Sequence, residues 1–208
     1  MTGCVMSPRL HPALFLDRDG VVNVDRGFVA RREDFVWQEG IFDLVRLALA
    51  RGFVPVIVTN QSGIGRGLYT LADYTVLTEW MLARFATEGA TIARVYQCPY
   101  HPEAEIPQYR AVHPWRKPAP GMLLAAQHDL RLDLARSVMI GNRWSDVGAA
   151  VAAGVGKIVL VGPLSQSQPG SDPPPGGIAS APADLVRLPD MPAVARWFAE
   201  HYRNLDQR

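Results

Sequence analysis

Short apolar runs alternate along this chain with stretches in which apolar residues recur at helical spacing. The runs Ala13 to Asp17, Phe53 to Thr59, Ala93 to Cys98, Ser137 to Gly141, Lys157 to Val161 and Asp184 to Leu188 predict strands. They are largely apolar on both alternating faces, as strands covered from two sides must be. Pro55 removes a ladder donor from the second run, near its start, where the loss matters least. Between the strands, Ile41, Leu44, Val45 and Ala48 form one helical stripe and Gly52 supplies a stop. Thr70 and Asp73 make a capping-box pattern for a helix that carries Tyr74, Leu77, Met81 and Phe85 on one side and closes at Gly89. Further helices are expected at Gly121 to Leu130, Ser145 to Ala153 and Pro192 to Tyr202. Strand and helix in alternation predict an α/β fold with a mainly parallel sheet and helices on both faces, a three-layer arrangement.

Two segments break the pattern. Cys98 to Pro120 is proline-rich and aperiodic, an extended loop that leads into Arg116-Lys117-Pro118. Residues 162–182, rich in Pro, Gly and Ser, read as a long flexible loop, and residues 1–10 as an N-terminal tail. No repeat is present, and 208 residues with 48% hydrophobic content suffice for one core, so a single domain over 1–208 is expected.

Composition narrows the function classes. Lys and Arg number 21 against 20 acidic residues, a net charge of +1, and no basic cluster exceeds two residues in a row. No field draws nucleic acid or an anionic membrane, so neither is an expected partner. Two cysteines make no disulfide framework, and no apolar run approaches signal-peptide or membrane-span length. The expectation is a soluble, cytoplasmic monomer.

Chemistry concentrates at strand ends. In open parallel sheets ligands collect at the carboxyl edge, and polar groups stand there after each of four predicted strands. Asp17 and Asp19 follow the first, in Asp17-Arg18-Asp19-Gly20, where the glycine lets the second carboxylate swing over the first. Thr59-Asn60-Gln61-Ser62 follows the second, Lys117 the loop after the third, and Gly141 to Asp146 the fourth. Together they suit phosphoryl transfer from a phosphomonoester. Asp17 is the candidate nucleophile, and Asp19 the candidate acid and base. A divalent cation would sit between these carboxylates and the phosphate, whose oxygens Thr59 and Lys117 would hold.

These motifs resemble the haloacid dehalogenase-like phosphatases, matched in order over about residues 13 to 161. A narrower set is similar to the D-glycero-D-manno-heptose 1,7-bisphosphate 7-phosphatase branch: Asp17 to Asn23, Gly27-Phe28-Val29, Thr59 to Gly67, and Arg116-Lys117-Pro118-Ala119-Pro120-Gly121-Met122. The related histidinol-phosphate phosphatases share the first and last of these but usually carry Asp where Ser62 stands, and lack the Gly63 to Gly67 continuation. The resemblance implies a capless Rossmann-like fold, Mg2+ and release of phosphate from a sugar bisphosphate. Asn60 and Ser62 would join the phosphate-binding set, and Arg66 and Arg116 would hold the second phosphate or sugar hydroxyls.

Two departures stand out. The motif after the fourth strand normally begins Gly-Asp, and that aspartate ligates Mg2+; here the position is Asn142. The implied metal set is then Asp17, Asp19 and Asn142, with Asp146 helping directly or through water, and weakened metal affinity is expected. Many relatives also bind structural Zn2+ in the long loop through four Cys and His ligands. Tyr100, His113 and Trp115 stand at three of those positions and only Cys98 is kept. Structural zinc is therefore not expected. A substitute site would have to be built from Cys98, His101 and His113. The leading expectation is a Mg2+-dependent phosphatase acting on a sugar bisphosphate through an aspartyl-phosphate. The alternatives are another small phosphomonoester, such as histidinol phosphate, and a weakened or inactive phosphate-binding homologue, which Asn142 motivates.

Overall fold

The structure is a computed structural model that describes residues 10–162 and 184–203. Most of the expected N-terminal tail and of the 162–182 segment lies outside the described residues.

Six strands form one sheet in the order β3-β2-β1-β4-β5-β6, with every neighbouring pair parallel. They are β1 (His11–Leu16), β2 (Val54–Asn60), β3 (Arg94–Cys98), β4 (Leu132–Gly141), β5 (Lys157–Val161) and β6 (Leu185–Leu188). Central β1 shows why its run is apolar throughout. Leu14 and Leu16 enter one core, and Ala13 and Phe15 enter the other, on the opposite face. The first core takes α1 (Ile41–Ala50), α3 (Leu71–Thr87) and α6 (Met191–His201); the second takes α4 (Gly121–Leu130) and α5 (Trp144–Ala153). Helices therefore cover both faces, giving the expected three layers. Among the described residues no helix is long and apolar enough to cross a membrane.

Local choices follow from the residues. Thr70 Oγ1 accepts from the Asp73 N–H at 3.1 Å while Asp73 Oδ2 accepts from the Thr70 N–H at 2.8 Å, the capping box expected for α3. Pro55 lies inside β2, but β3 begins pairing only at Val56, opposite Arg94. The missing N–H therefore costs no bond of that ladder, and the Pro55 carbonyl accepts from Ala93 N–H at 2.8 Å. β4 extends five residues further toward the N-terminus than the apolar run suggested. Leu132 and Leu134 are buried, but exposed Ala135 and Arg136 interrupt the alternation beside a register irregularity. Ser137 bridges that irregularity: its Oγ donates to Asp133 O at 2.5 Å and accepts from Ala13 N–H at 2.8 Å. A short helix, α2 (Ser62–Gly65), falls where no helix was expected; four residues containing two glycines carry no periodicity.

Candidate active site

The carboxyl ends of β1, β2 and β4 and the loop after β3 meet at one place, and the turn after β1 organises it. Gly20 has φ +96°, and a Cβ there would stand 2.1 Å from Asn142 Nδ2. Glycine is therefore required both by the backbone and by the approach of the loop after β4.

Lys117 is the hub. Its Nζ lies 2.9 Å from Asp17 Oδ1 and 2.5 Å from Asp146 Oδ1, and donates to Val58 O at 2.9 Å. All three side chains are at most 9% exposed. Burial acts to lower the Lys117 pKa, but Asp146 and Asp17 outweigh it and raise the pKa above the ordinary lysine value, so the ammonium stays charged. Asp17 moves in the opposite sense to most paired carboxylates. Burial, with Asp146 and Asp19 nearby, pushes its carboxyl up to about 7 against the attraction of Lys117. Asp17 Oδ1 also accepts from the Arg18 N–H at 2.7 Å, whereas Oδ2 takes no hydrogen bond among the described residues. That oxygen is the one left for an incoming phosphorus or cation.

Asp19 is held on all sides. Oδ1 accepts from Arg18 Nη2 at 2.9 Å and Asn23 Nδ2 at 3.0 Å, and Oδ2 accepts from Arg18 Nε and Gln61 Nε2, both at 3.1 Å. Gln61 Nε2 also donates to Thr59 Oγ1 at 2.8 Å, which leaves the threonine hydrogen free for a phosphate oxygen. Asn60 also has a part that its sequence position did not suggest. Its Nδ2 donates to Lys117 O and its Oδ1 accepts from Lys117 N–H, each at 3.0 Å, so the amide places Lys117 and keeps one N–H beyond that pair. Ser62 opens α2 beside it.

The four side chains expected to hold a cation differ in how the fold engages them. Asp146 Oδ2 accepts from the Arg143 N–H at 3.0 Å, where Asp146 caps α5, while its buried Oδ1 is ion-paired with Lys117 Nζ at 2.5 Å but has no hydrogen-bond partner among the described residues. The Asp19 carboxylate already accepts four hydrogen bonds. The Asp19 carboxylate is thus tied to protein donors, while Asp17 Oδ2 and Asn142 Oδ1 take no hydrogen bond among the described residues. Asn142 Oδ1 is buried and has no hydrogen-bond partner, an orphaned acceptor of the kind a hard cation satisfies. Among the described residues no group of three or more His, Cys, Asp or Glu side chains could hold a metal ion. A cation with one carboxylate, one amide oxygen and several waters suits Mg2+, which keeps much of its hydration.

Arg66 and Arg116 stand close to one another on the β3-loop side. Burial lowers the Arg116 pKa and the nearby Arg66 and Arg143 cations lower it further, while Arg116 Nη1 donates to Tyr100 O at 3.3 Å. Arg143 in turn reaches Asp25 Oδ2 at 2.7 Å, which ties the segment after the first turn to the start of α5. In the long loop Cys98 is buried and its thiol pKa is pushed up by that burial. His113 stacks on Tyr100 with ring centroids 4.1 Å apart, and Trp115 meets Tyr96 edge-on at 6.0 Å. His101 Nε2 lies 3.3 Å from Arg66 Nη2.

Four residues escaped the sequence reading: Arg18, Asn23, Gln61 and Tyr69. Arg18, Asn23 and Gln61 lie inside the motifs already singled out. The usable signal was chemical: polar side chains with no room at a surface, flanking a carboxylate that must be held. All three are at most 1% exposed. Tyr69 carried no signal, because a tyrosine near the start of an amphipathic helix reads as core.

Known proteins resemble this chain in sequence and in fold. A HAD-hydrolase-like family model matches residues 114–166. A D-glycero-alpha-D-manno-heptose-1,7-bisphosphate 7-phosphatase of Burkholderia mallei is 48% identical over 177 residues, 85% of this chain and 89% of the relative. A D-glycero-beta-D-manno-heptose-1,7-bisphosphate 7-phosphatase of Escherichia coli K12 is 47% identical over 150 residues, 72% of this chain and 78% of the relative. Among solved structures, a HAD-like protein of Mesorhizobium loti superposes with a TM-score of 0.80 at 32% identity, covering 100% of this chain and 94% of the other. The D,D-heptose 1.7-bisphosphate phosphatase of B. bronchiseptica, complexed with magnesium and phosphate, gives 0.73 at 26% identity, covering 91% and 99%.

Proposed function

Because this chain belongs to the haloacid dehalogenase-like phosphatases and is a phosphoric monoester hydrolase, we propose that it acts on a sugar bisphosphate, most closely heptose 1,7-bisphosphate, with Asp17 as nucleophile. The observation that carries this reading is the buried Asp17–Lys117–Asp146 cluster, with Asp17 Oδ2 open and the carboxylate of Asp19 fixed beside it. Asp17 Oδ2 attacks phosphorus and the bond from phosphorus to the sugar oxygen breaks. Asp19 gives that oxygen its proton and then takes one from the water that attacks the aspartyl-phosphate, restoring Asp17 and freeing inorganic phosphate. Lys117 and the Thr59 hydroxyl hold the non-bridging oxygens as charge redistributes. Asp17 and Asn142 would hold Mg2+, whose positive charge, when bound, offsets that of the phosphate oxygens. Arg66 and Arg116 would take the second phosphate or the sugar hydroxyls. A site without a cap domain needs such side chains to orient what it binds.

The test is a substrate panel assayed with Mg2+ for wild type beside Asp17→Asn. The expected result is phosphate release from heptose 1,7-bisphosphate ahead of other sugar phosphates and histidinol phosphate, and no release by the variant. Equal rates for wild type and variant would remove Asp17 from the reaction, and a preference for histidinol phosphate would overturn the substrate.

A further inference from the structure

We infer that Gln61, held in one orientation by Tyr69, is the positioning residue that fixes Asp19 relative to the phosphate; this rests on the proposed reading of Asp19 as the proton donor. The Gln61 side chain is buried, and its amide has a partner at each end. Nε2 donates to Asp19 Oδ2 at 3.1 Å and to Thr59 Oγ1 at 2.8 Å, while Oε1 accepts from the Tyr69 hydroxyl at 2.5 Å. An amide can sit either way round in the same volume; the acceptor-only carboxylate of Asp19 selects the placement with Nε2 toward the site, and the Tyr69 hydroxyl holds it there by donating to Oε1. While Tyr69 donates, Oε1 faces it and both amide hydrogens face the site. The reverse placement would set a carbonyl oxygen against a carboxylate. Burial raises the Tyr69 pKa well above the ordinary phenol value, so the hydroxyl keeps its hydrogen.

The other tethers on Asp19 cannot do this work. Arg18 and Asn23 belong to the same turn as Asp19 and move with it. Gln61 comes from the end of β2, and among the described residues it is the one side chain that joins Asp19 to the strand end carrying Thr59. It therefore sets the distance between the proton donor and a phosphate-binding hydroxyl. The fold makes room for this lock. A Cβ on Gly63 would lie 2.2 Å from Tyr69 Cε1 and 2.9 Å from its hydroxyl oxygen, so only glycine lets the ring seat. Ile64 and Tyr74 pack around the same ring as a small core of their own.

Leaving-group dependence tests the inference. A sugar phosphate needs a proton on the departing oxygen, whereas p-nitrophenyl phosphate departs without one, and kcat/KM reports the steps up to that departure. Tyr69→Phe and Gln61→Ala are expected to lower kcat/KM for heptose 1,7-bisphosphate about tenfold or more, within the range that displacing a general acid costs. For p-nitrophenyl phosphate the change is expected to stay within about twofold. Asp19→Asn should show the same selectivity with a larger loss. Tyr69→Phe removes one hydroxyl and keeps the ring, so it carries the test alone if Gln61→Ala fails to fold. Equal losses on both substrates, or no loss on either, with Asp19→Asn still selective, would overturn the positioning of Asp19 by Gln61. An Asp19→Asn enzyme that loses both substrates equally would instead remove Asp19 as proton donor, and the inference with it.

Discussion

Asn60 grips the main chain of Lys117 with both ends of its amide, donating to the carbonyl and accepting from the N–H at 3.0 Å each. The last residue of β2 thereby fixes a residue that ends a long, aperiodic loop. Lys117 owes its place to this clamp as much as to its carboxylate partners. Asn60→Ala is expected to lower kcat/KM about tenfold through a displaced ammonium. The two lost bonds should cost about 1–2 kcal/mol of stability. Steady-state kinetics beside thermal unfolding check both; unchanged kinetics would mean that the loop places Lys117 unaided.

Lys117→Met leaves Asp17 and Asp146 buried without a cation. The loss should be about 3–5 kcal/mol, a fall in Tm of about 10 °C for a chain of this size. Adding Asp146→Asn to that variant removes one of the orphaned charges and should restore part of the loss. A double-mutant cycle on thermal unfolding reads this coupling directly, and strict additivity would contradict it.

A pH dependence follows from Asp17. Its carboxyl is pushed up to about 7 in the metal-free protein, by burial first, then by Asp146 and Asp19, with Lys117 opposing. Between the unfolded value near 4 and about 7 the folded state binds the extra proton, so this group's contribution to stability falls as pH rises through that window and is constant above it. Proton and cation also compete for one carboxylate. Mg2+ binding should therefore strengthen from pH 6 to pH 8 and release about one proton per ion at the lower pH. Calorimetric titration in buffers of different ionisation enthalpy measures both, and binding equal at the two pH values would contradict the shift.

Asn142 offers a neutral oxygen where the resemblance implies an aspartate. Asn142→Asp is expected to tighten Mg2+ binding about tenfold or more, read by direct titration of the metal, because a carboxylate replaces an amide beside Asp17. Affinity unchanged by the substitution would show that the residue is no ligand.

The elements most visible in the sequence were those that packing alone dictates. α4 and β5 run between the residues their periodicity indicates, and the capping box of α3 formed as its residue types require. β4 came out long because its outer half is interrupted by a bulge that periodicity cannot cross. At the site, the motifs pointed to Asp17, Asp19, Thr59 and Lys117, but not to what each neighbour does. Whether Asp146 faces a cation or Lys117 depends on where the first turn of α5 lands against a loop distant in sequence. The same holds for Asn60, whose clamp on the Lys117 main chain depends on where a distant loop runs. Gln61 was hidden for a related reason, since its use depends on a tyrosine eight residues on whose ring sits against a glycine.

The central claim, that Asp17 accepts the phosphoryl group, is tested most directly by a crystal structure grown with Mg2+ and beryllofluoride. The account predicts the beryllium trifluoride mimic bound to Asp17 Oδ2, within reach of Lys117 Nζ and the Thr59 hydroxyl. Density for the mimic on any other side chain, or an unmodified Asp17 with both reagents in excess, would contradict it.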